Sequence, residues 1–288
     1  SAGDFLSGGV KVGDVVRLAG ANLAPENVNK NLLVIGVTAL ALTCAVLNGS
    51  TLTAEAAKAA STVAVPGKKS LVPLTGHTND YYTVEEWFSD IGRSRKWVDQ
   101  QVGKIDLSLP STGNATVAIS FFGIDGVKGN AQILTTPADE TTTPILNGTN
   151  GYVLQGGSRI AIATSASISI DGQVAHGEST VGSKVVTDLT KGDIKVTGSV
   201  TMLFETETDA FDNETVTSFV FVITENADAD ADFVTIVLPA VKVMTDDIDD
   251  GKKQLIKTNN YTAQINGAGG AALASDKTTI VIQDSTLV

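Results

Sequence analysis

The chain has 288 residues, 42% of them hydrophobic and only 18% charged, a length that suits one large domain or two modest ones. Low charge beside many Gly, Thr, Ser, Val and Ala fits an all-β architecture better than a helical bundle. A formal net charge of -12 argues against a protein that grips nucleic acid through its phosphates, and a single cysteine, Cys44, rules out an intrachain disulfide.

Residues Val10 to Val46 read as a small β unit, the core of an insert over 10–66. The run VKVGDVVRLAG alternates apolar and polar residues, the polar loop ANLAPENVNKN follows, and LLVIGVTALALTCAVL returns. That last run, Leu32 to Leu47, is the one stretch that hints at a membrane. It is short for a span of about 20 residues, and Gly36, Thr38 and Thr43 interrupt it, so it is predicted to be two buried strands with a turn. Cys44 inside it is expected to be a buried, inert thiol. No signal-peptide pattern is visible, and the absence of an initiator Met makes Ser1 a processed end or an interior start. The alanine-rich LTAEAAKAA, Leu52 to Ala60, predicts a short helix with Thr53 as a partial cap. Pro66-Gly67 closes the insert.

Thr75 to Gly123 gathers Tyr81, Tyr82, Trp87, Phe88 and Trp97. Thr83 and Glu86 have capping-box spacing, yet the β-rich Tyr-Tyr-Thr-Val favours a strand. Two alternating runs follow, through Val102 to Leu109 and Ala115 to Phe121, joined by Pro-Ser-Thr-Gly, which is a hairpin signal. Residues 131–157, with TTPADETTTPILNGTNG, read as a linker that cannot supply a core. They divide the chain into a first half, 1–130, and a second half, 158–288. The second half is again β: RIAIATSASISID, DIKVTGSVTMLF, SFVFVIT, FVTIVLPAVKVM bent at Pro239, then Asn260 to Ile265 and Thr278 to Ile282. GKIDLSLP with NATVAISFFG in the first half is echoed by LPAVKVMT with NNYTAQING in the second, a candidate duplication.

No catalytic constellation emerges. His77 and His176 lie far apart in Gly/Thr-rich segments, and no Cys or His has zinc-ligand spacing. There is no nucleophile elbow and no phosphate loop. MTDDIDDGKK fails the calcium-loop register at Ile248. Its Asp246, Asp247, Asp249 and Asp250 read as a solvated hairpin turn, and so do Glu225, Asp228, Asp230 and Asp232 in ENADADAD. The expectation is a non-enzyme with no cofactor and no metal.

At GHTNDYYTVEEWFSDIGRSRKWVDQQVGKIDLSLPSTGNATVAISFFG the chain resembles the major tail tube proteins of long, non-contractile bacteriophage tails. The resemblance rests on Tyr82 through Trp87, Ser89-Asp90-Ile91 and Lys104 through Gly113. KVGDVVRLAG with VIGVTALALTCAV is similar to an insert such proteins carry, and KVTGSVTMLF and FVTIVLPAVKV are similar to their second-half strands. It implies a mainly β, tail-tube-type barrel or sandwich, two related barrels in tandem by the echo, with the small β insert and a short helix. It implies a virion protein, assembled in the host cytoplasm, that forms rings stacking into a hollow tube through which genomic DNA passes without specific binding. The implied partners are further copies of itself, a tape measure protein and tail terminator or tip proteins, with no membrane. Two barrels per chain would suit a homotrimer mimicking sixfold symmetry, the reading the echo favours; one barrel would need a homohexamer. Family members usually begin with further strands upstream of the insert, so the first barrel is expected to be incomplete here. The candidate lumen or inter-ring carboxylates are Glu225, Asp228, Asp230, Asp232, Asp246, Asp247, Asp249 and Asp250. The candidate inter-subunit basic residues are Arg93, Arg95 and Lys96. The competing readings are a β-rich adhesin or receptor-binding tail protein, and a carbohydrate-active enzyme, which would need a paired-carboxylate cleft.

Overall fold

Alternating side chains carry about half of the described residues into antiparallel strands. The computed structural model describes residues 4–58, 60–72, 79–160, 162–183, 185–204, 211–249, 254–266 and 277–287. His77 and Asp250 lie outside the described residues.

The insert is a four-stranded sheet of β1 (Val15–Ala19), β2 (Leu32–Val37), β3 (Leu42–Val46) and β4 (Thr62–Ala64), in the order β3-β2-β1-β4. Val16, Leu32 and Val34 are buried in it, with Leu42, Cys44 and Val46 packed alongside. The apolar run at 32–47 is thus two strands and a turn, as its interruptions predict. Cys44 is half-buried, and desolvation raises its thiol pKa. The helix expected over Leu52 to Ala60 does not form; residues 52–58 are irregular. The would-be cap and its neighbour serve another purpose. Asn27 accepts from the Thr53 amide at 2.8 Å, and Glu55 accepts from the Ala24 amide and from Asn27 Nδ2. These bonds lay the segment against the 3₁₀ turn Pro25–Asn27. A helix this short is marginal on propensity alone, and three long-range hydrogen bonds override it.

The main sheet has 13 strands. In chain order they are β5 (Lys68–Leu71), β6 (Tyr82–Phe88), β7 (Arg93–Pro110), β8 (Thr116–Phe122), β9 (Asp125–Gly129), β10 (Tyr152–Gln155), β11 (Ser158–Ile160) and β12 (Ala163–Asp171). A two-stranded ribbon, β13 (Ala175–His176) and β14 (Leu189–Thr190), stands apart. Then come β15 (Lys195–Leu203), β16 (Thr217–Thr224), β17 (Phe233–Asp249), β18 (Ile256–Ala263) and β19 (Val281–Asp284). The path is β11-β10-β16-β17-β18-β15-β12-β7-β6, with β8 and β9 on β7 and β19 and β5 on β17. The hairpin read from Pro-Ser-Thr-Gly is β7–β8, and Tyr82–Phe88 is a strand.

The bend at Pro239 makes this one sheet into two layers. Before it, β17 pairs β16 and β19; at Val241 it still meets Thr217 of β16 and begins its pairing with β18, and the register slips between Thr217 and Phe219 of β16. A proline cannot donate to the ladder, so a strand that must leave one layer for another tolerates it at the bulge. Phe219, Phe221 and Tyr261 meet between the layers with ring centroids 5.1–6.5 Å apart, among Ile168, Val196, Val200, Ile236 and Leu238. A second core joins Val15, Leu33 and Leu47 of the insert to Val220, Val222, Phe233 and Val237. Buried Gln283 locks that junction: its amide accepts from the Val15 N–H and donates to the Val15 and Pro66 carbonyls.

The sheet runs across the segment expected to divide the chain, because β7 pairs β12 along Lys104–Pro110. Residues 131–146 are irregular and mostly exposed, as a linker reads, but Tyr152–Gln155 at the end of that segment is a strand of the sheet.

Candidate assembly surface

The long strand β7 carries the basic residues. Its first part, Arg93 to Val98, lies between β6 and β9; from Gln101 on, β8 replaces β9, and β12 joins from Lys104. Asp99, between these parts, has a left-handed backbone (φ 54), a conformation Asp tolerates better than most residues. The result is a three-stranded arm, β6–β7–β9, attached to the body at a kink. Arg95 and Lys96 face Glu86 and Glu85 across the β6 pairing, and Arg95 sits 5.7 Å from the Phe88 ring centre. Arg93 bonds Asn130, and Lys128 stands opposite Arg95 on β9. Arg93, Arg95 and Lys128 thus line one cleft with Phe88 and the exposed Ile91. Lys128 went unread because 33 residues of sequence separate it from Arg95 and only the sheet register unites them. Glu85 accepts from the Ile133 and Leu134 amides at 2.9 Å, so its carboxyl is held below the usual range, first by the Leu134 N–H and then by that of Ile133.

The candidate carboxylates fall into two separate places. Glu225 to Asp232 form the turn between β16 and β17, as expected: Glu225 N–H bonds the Asp232 carbonyl, and Asp232 accepts from Ser285. The insert grips this turn, since Arg17 donates to the Asp230 carbonyl and Asn31 Nδ2 to that of Ala231. Asp246, Asp247 and Asp249, read as a turn, instead continue β17. The reason is the strand's own alternation. Asp246 points to the core side, where its carboxylate meets the Lys257 ammonium at 2.8 Å; Lys257 is 1% exposed and lies 5.7 Å from the Phe204 ring centre. Asp247 and Asp249 point the other way, beside Thr258 and Ile256. Fourteen residues of strand separate Asp232 from Asp246, about 45 Å of extended chain, so the two clusters do not make one patch.

The outer face of the second layer is a field of hydroxyls. Register places Thr116, Ser108, Ser167, Ser199, Asn260 and Thr245 in one row across β8, β7, β12, β15, β18 and β17. The next row is Ala118, Asp106, Ser169, Thr197, Thr262 and Lys242. Two ion pairs lie there: Lys104 with Asp106 at 2.9 Å, and Lys242 with Glu214 at 3.0 Å. The Asp106 carboxyl is lowered first by its bond from Ser169 and then by Lys104. Ser167 and Ser199 bond each other, as do Thr245 and Asn260. His176 rests 3.0 Å from the Gly123 carbonyl, against Phe122. Among the described residues no group of three His, Cys, Asp or Glu could hold a metal, and no helix is long and apolar enough to cross a membrane.

A family model described as phage tail tube protein matches residues 31–273. Among solved structures, the chain is similar to the anti-feeding prophage cap, the AFP tube terminating cap, at 12% identity and a TM-score of 0.36, covering 53% of this chain and 99% of that one. It is also similar to the SPP1 tail tube, at 14% identity and a TM-score of 0.24, covering 56% of this chain and 73% of that one. Among curated proteins no sequence matches it.

Proposed function

Because this chain belongs to the phage tail tube protein family, a structural component of the virion tail, we propose that its copies close into rings whose stacked lumen conducts genomic DNA during ejection. The family match over 31–273 carries this reading. The architecture also bears on the proposed copy number. Strands from both halves of the sequence share one sheet and one core, which supports one barrel per chain and six copies per ring rather than three. The tape measure protein, and terminator or tip proteins at the tube ends, are the further partners this reading implies.

The lumen need not bind DNA; it must let it slide. A net charge of -12 repels phosphate, and on the sheet face of hydroxyls Lys104 and Lys242 are held in ion pairs with Asp106 and Glu214 rather than gathered into the kind of cation cluster that tight phosphate binding uses. Assembled tubes mixed with short duplex DNA at low salt, where phosphate contacts are strongest, test this. DNA that stays free is expected. DNA retained at low salt and released at high salt would overturn the sliding mechanism. The basic residues Arg93, Arg95 and Lys96, with Lys128, serve in this reading to meet carboxylates of an adjacent ring; Glu225, Asp228 and Asp230 on the exposed turn are candidates.

A further inference from the structure

The insert is built on contacts close in sequence and docked on contacts far away. Its own sheet is closed by the β1–β2, β2–β3 and β1–β4 pairings around Val16, Leu32 and Val34. Within it the Val34 N–H donates to the Asp14 carbonyl at 2.8 Å and the Leu47 N–H to the Asn31 carbonyl at 2.9 Å. Bonds that tie it to the body span 200 to 268 residues of sequence: Val15 with Gln283, Arg17 with Asp230, Asn31 with Ala231. The Asn31 N–H also reaches the Ala229 carbonyl at 2.7 Å. Closing loops of that length costs entropy that local pairing avoids.

The body's side of the junction is a narrow strap. β19 lies between β17 and β5, and among the described residues β5 pairs β19 alone. Each side would strand a buried polar group if the other withdrew. Gln283 on β19 is 1% exposed and uses its amide on Val15 and Pro66. Asn31 and Asp14 of the insert are 0% and 4% exposed; Asn31 holds the turn before β17, and Asp14 pairs Lys69 of β5 at 2.7 Å. Half-made junctions of this kind carry the full cost of the unpaired groups, which favours closing all of these bonds together. Gly67 sets the fit: its φ is 69, and a Cβ there would strike the Asp284 carbonyl. Under the docked insert, Val220, Val222, Phe233 and Val237 are buried against Val15, Leu33 and Leu47.

We propose that the insert is a lid on this apolar face: a unit with its own sheet, latched by β19 and β5, that closes as the last step of folding and reopens without global unfolding. A chain that has not yet placed β19 bares the face, so closure marks a finished subunit. The lid belongs to the single chain and stands whether or not copies form a tube.

Amide exchange of the full chain, kept below the concentration at which it assembles, tests this. The Val15 and Asn31 amides report docking, Val34 and Leu47 report the insert's own sheet, and the β15 amides report the body. Val15 and Asn31 are expected to exchange ahead of the others in the native state, and to gain protection last in pulse-labelled refolding. Gly67→Ala, which strains the junction, and Lys69→Met, which strands the Asp14 carboxylate, should each lower protection of Val15 and Asn31 at least about tenfold and leave Val34, Leu47 and β15 unchanged. If Gly67→Ala does not fold, Lys69→Met decides. Exchange of Val15 and Asn31 only together with β15, loss of Val34 and Leu47 protection alongside them, or their protection first on refolding would overturn the lid.

Discussion

Lys257 and Asp246 show how a side chain's position in the sheet decides its role. The ammonium is buried and its single carboxylate partner nearly so, at 2.8 Å. Removing one member of such a pair strands the other charge, at a cost of about 3–5 kcal/mol, whereas replacing both by apolar groups is often neutral. Lys257→Met should therefore lower the thermal midpoint sharply, and adding Asp246→Leu should restore most of it; equal midpoints for the single and double variants would contradict the pairing. Gly198 is a second such residue. Tyr261 crosses it to donate to the Ser167 carbonyl at 3.0 Å, and a Cβ at 198 would strike both groups. Burial pushes the Tyr261 phenol well above its ordinary pKa, so it remains a donor. Gly198→Ala is expected to cost about 1–3 kcal/mol through overpacking, read as a lower denaturant midpoint with unchanged slope. Neither role is legible in the sequence, because a Lys or a Gly in an alternating run reads as surface or turn until the register names its neighbours.

Elements were more legible than residues. Period-two alternation marks β7, β8, β12 and β15, the continuous apolar run SFVFVIT marks β16, and the interruptions in LLVIGVTALALTCAVL mark two strands rather than a span. The reading failed where tertiary bonds compete with local preference. LTAEAAKAA is helical by composition, but Asn27 and Glu55 hold it extended. MTDDIDD looks like a turn by charge, but alternation carries β17 through it and turns Asp246 inward. The strap after β9 gives a pH prediction at this scale. The Glu85 carboxylate, anchored by the Leu134 and Ile133 amides, has a lowered pKa. Its contribution is complete above the ordinary carboxylate value of about 4.3 and is lost as pH falls through the lower folded value. Amide-exchange protection of Ile133 and Leu134 should fall on acidification, and Glu85→Ala should abolish it at neutral pH; protection in the variant equal to that of the parent would refute the anchor.

For the whole molecule, composition alone pointed to β structure, and the stretch around Tyr82 through Trp87 carried the family. Two things could not be read. One is that both halves of the sequence feed one sheet, because pairing of β7 with β12 spans the irregular segment 131–146. The other is the docking of the insert on the main sheet, through Gln283 of β19 and the core that joins Val15 to Val237. Gln283→Ala should leave the Val15 N–H and carbonyl without partners and cost about 2–4 kcal/mol, seen as early exchange of the β1 amides ahead of the β15 amides; simultaneous exchange of both strands would show that the insert and sheet unfold together. The account turns on self-assembly, and negative-stain electron microscopy of the concentrated chain, with the mass of any ring, tests that most directly. It predicts hollow rings or tubes of uniform diameter, with a ring mass of six chains. A monodisperse monomer that persists at high concentration would contradict it.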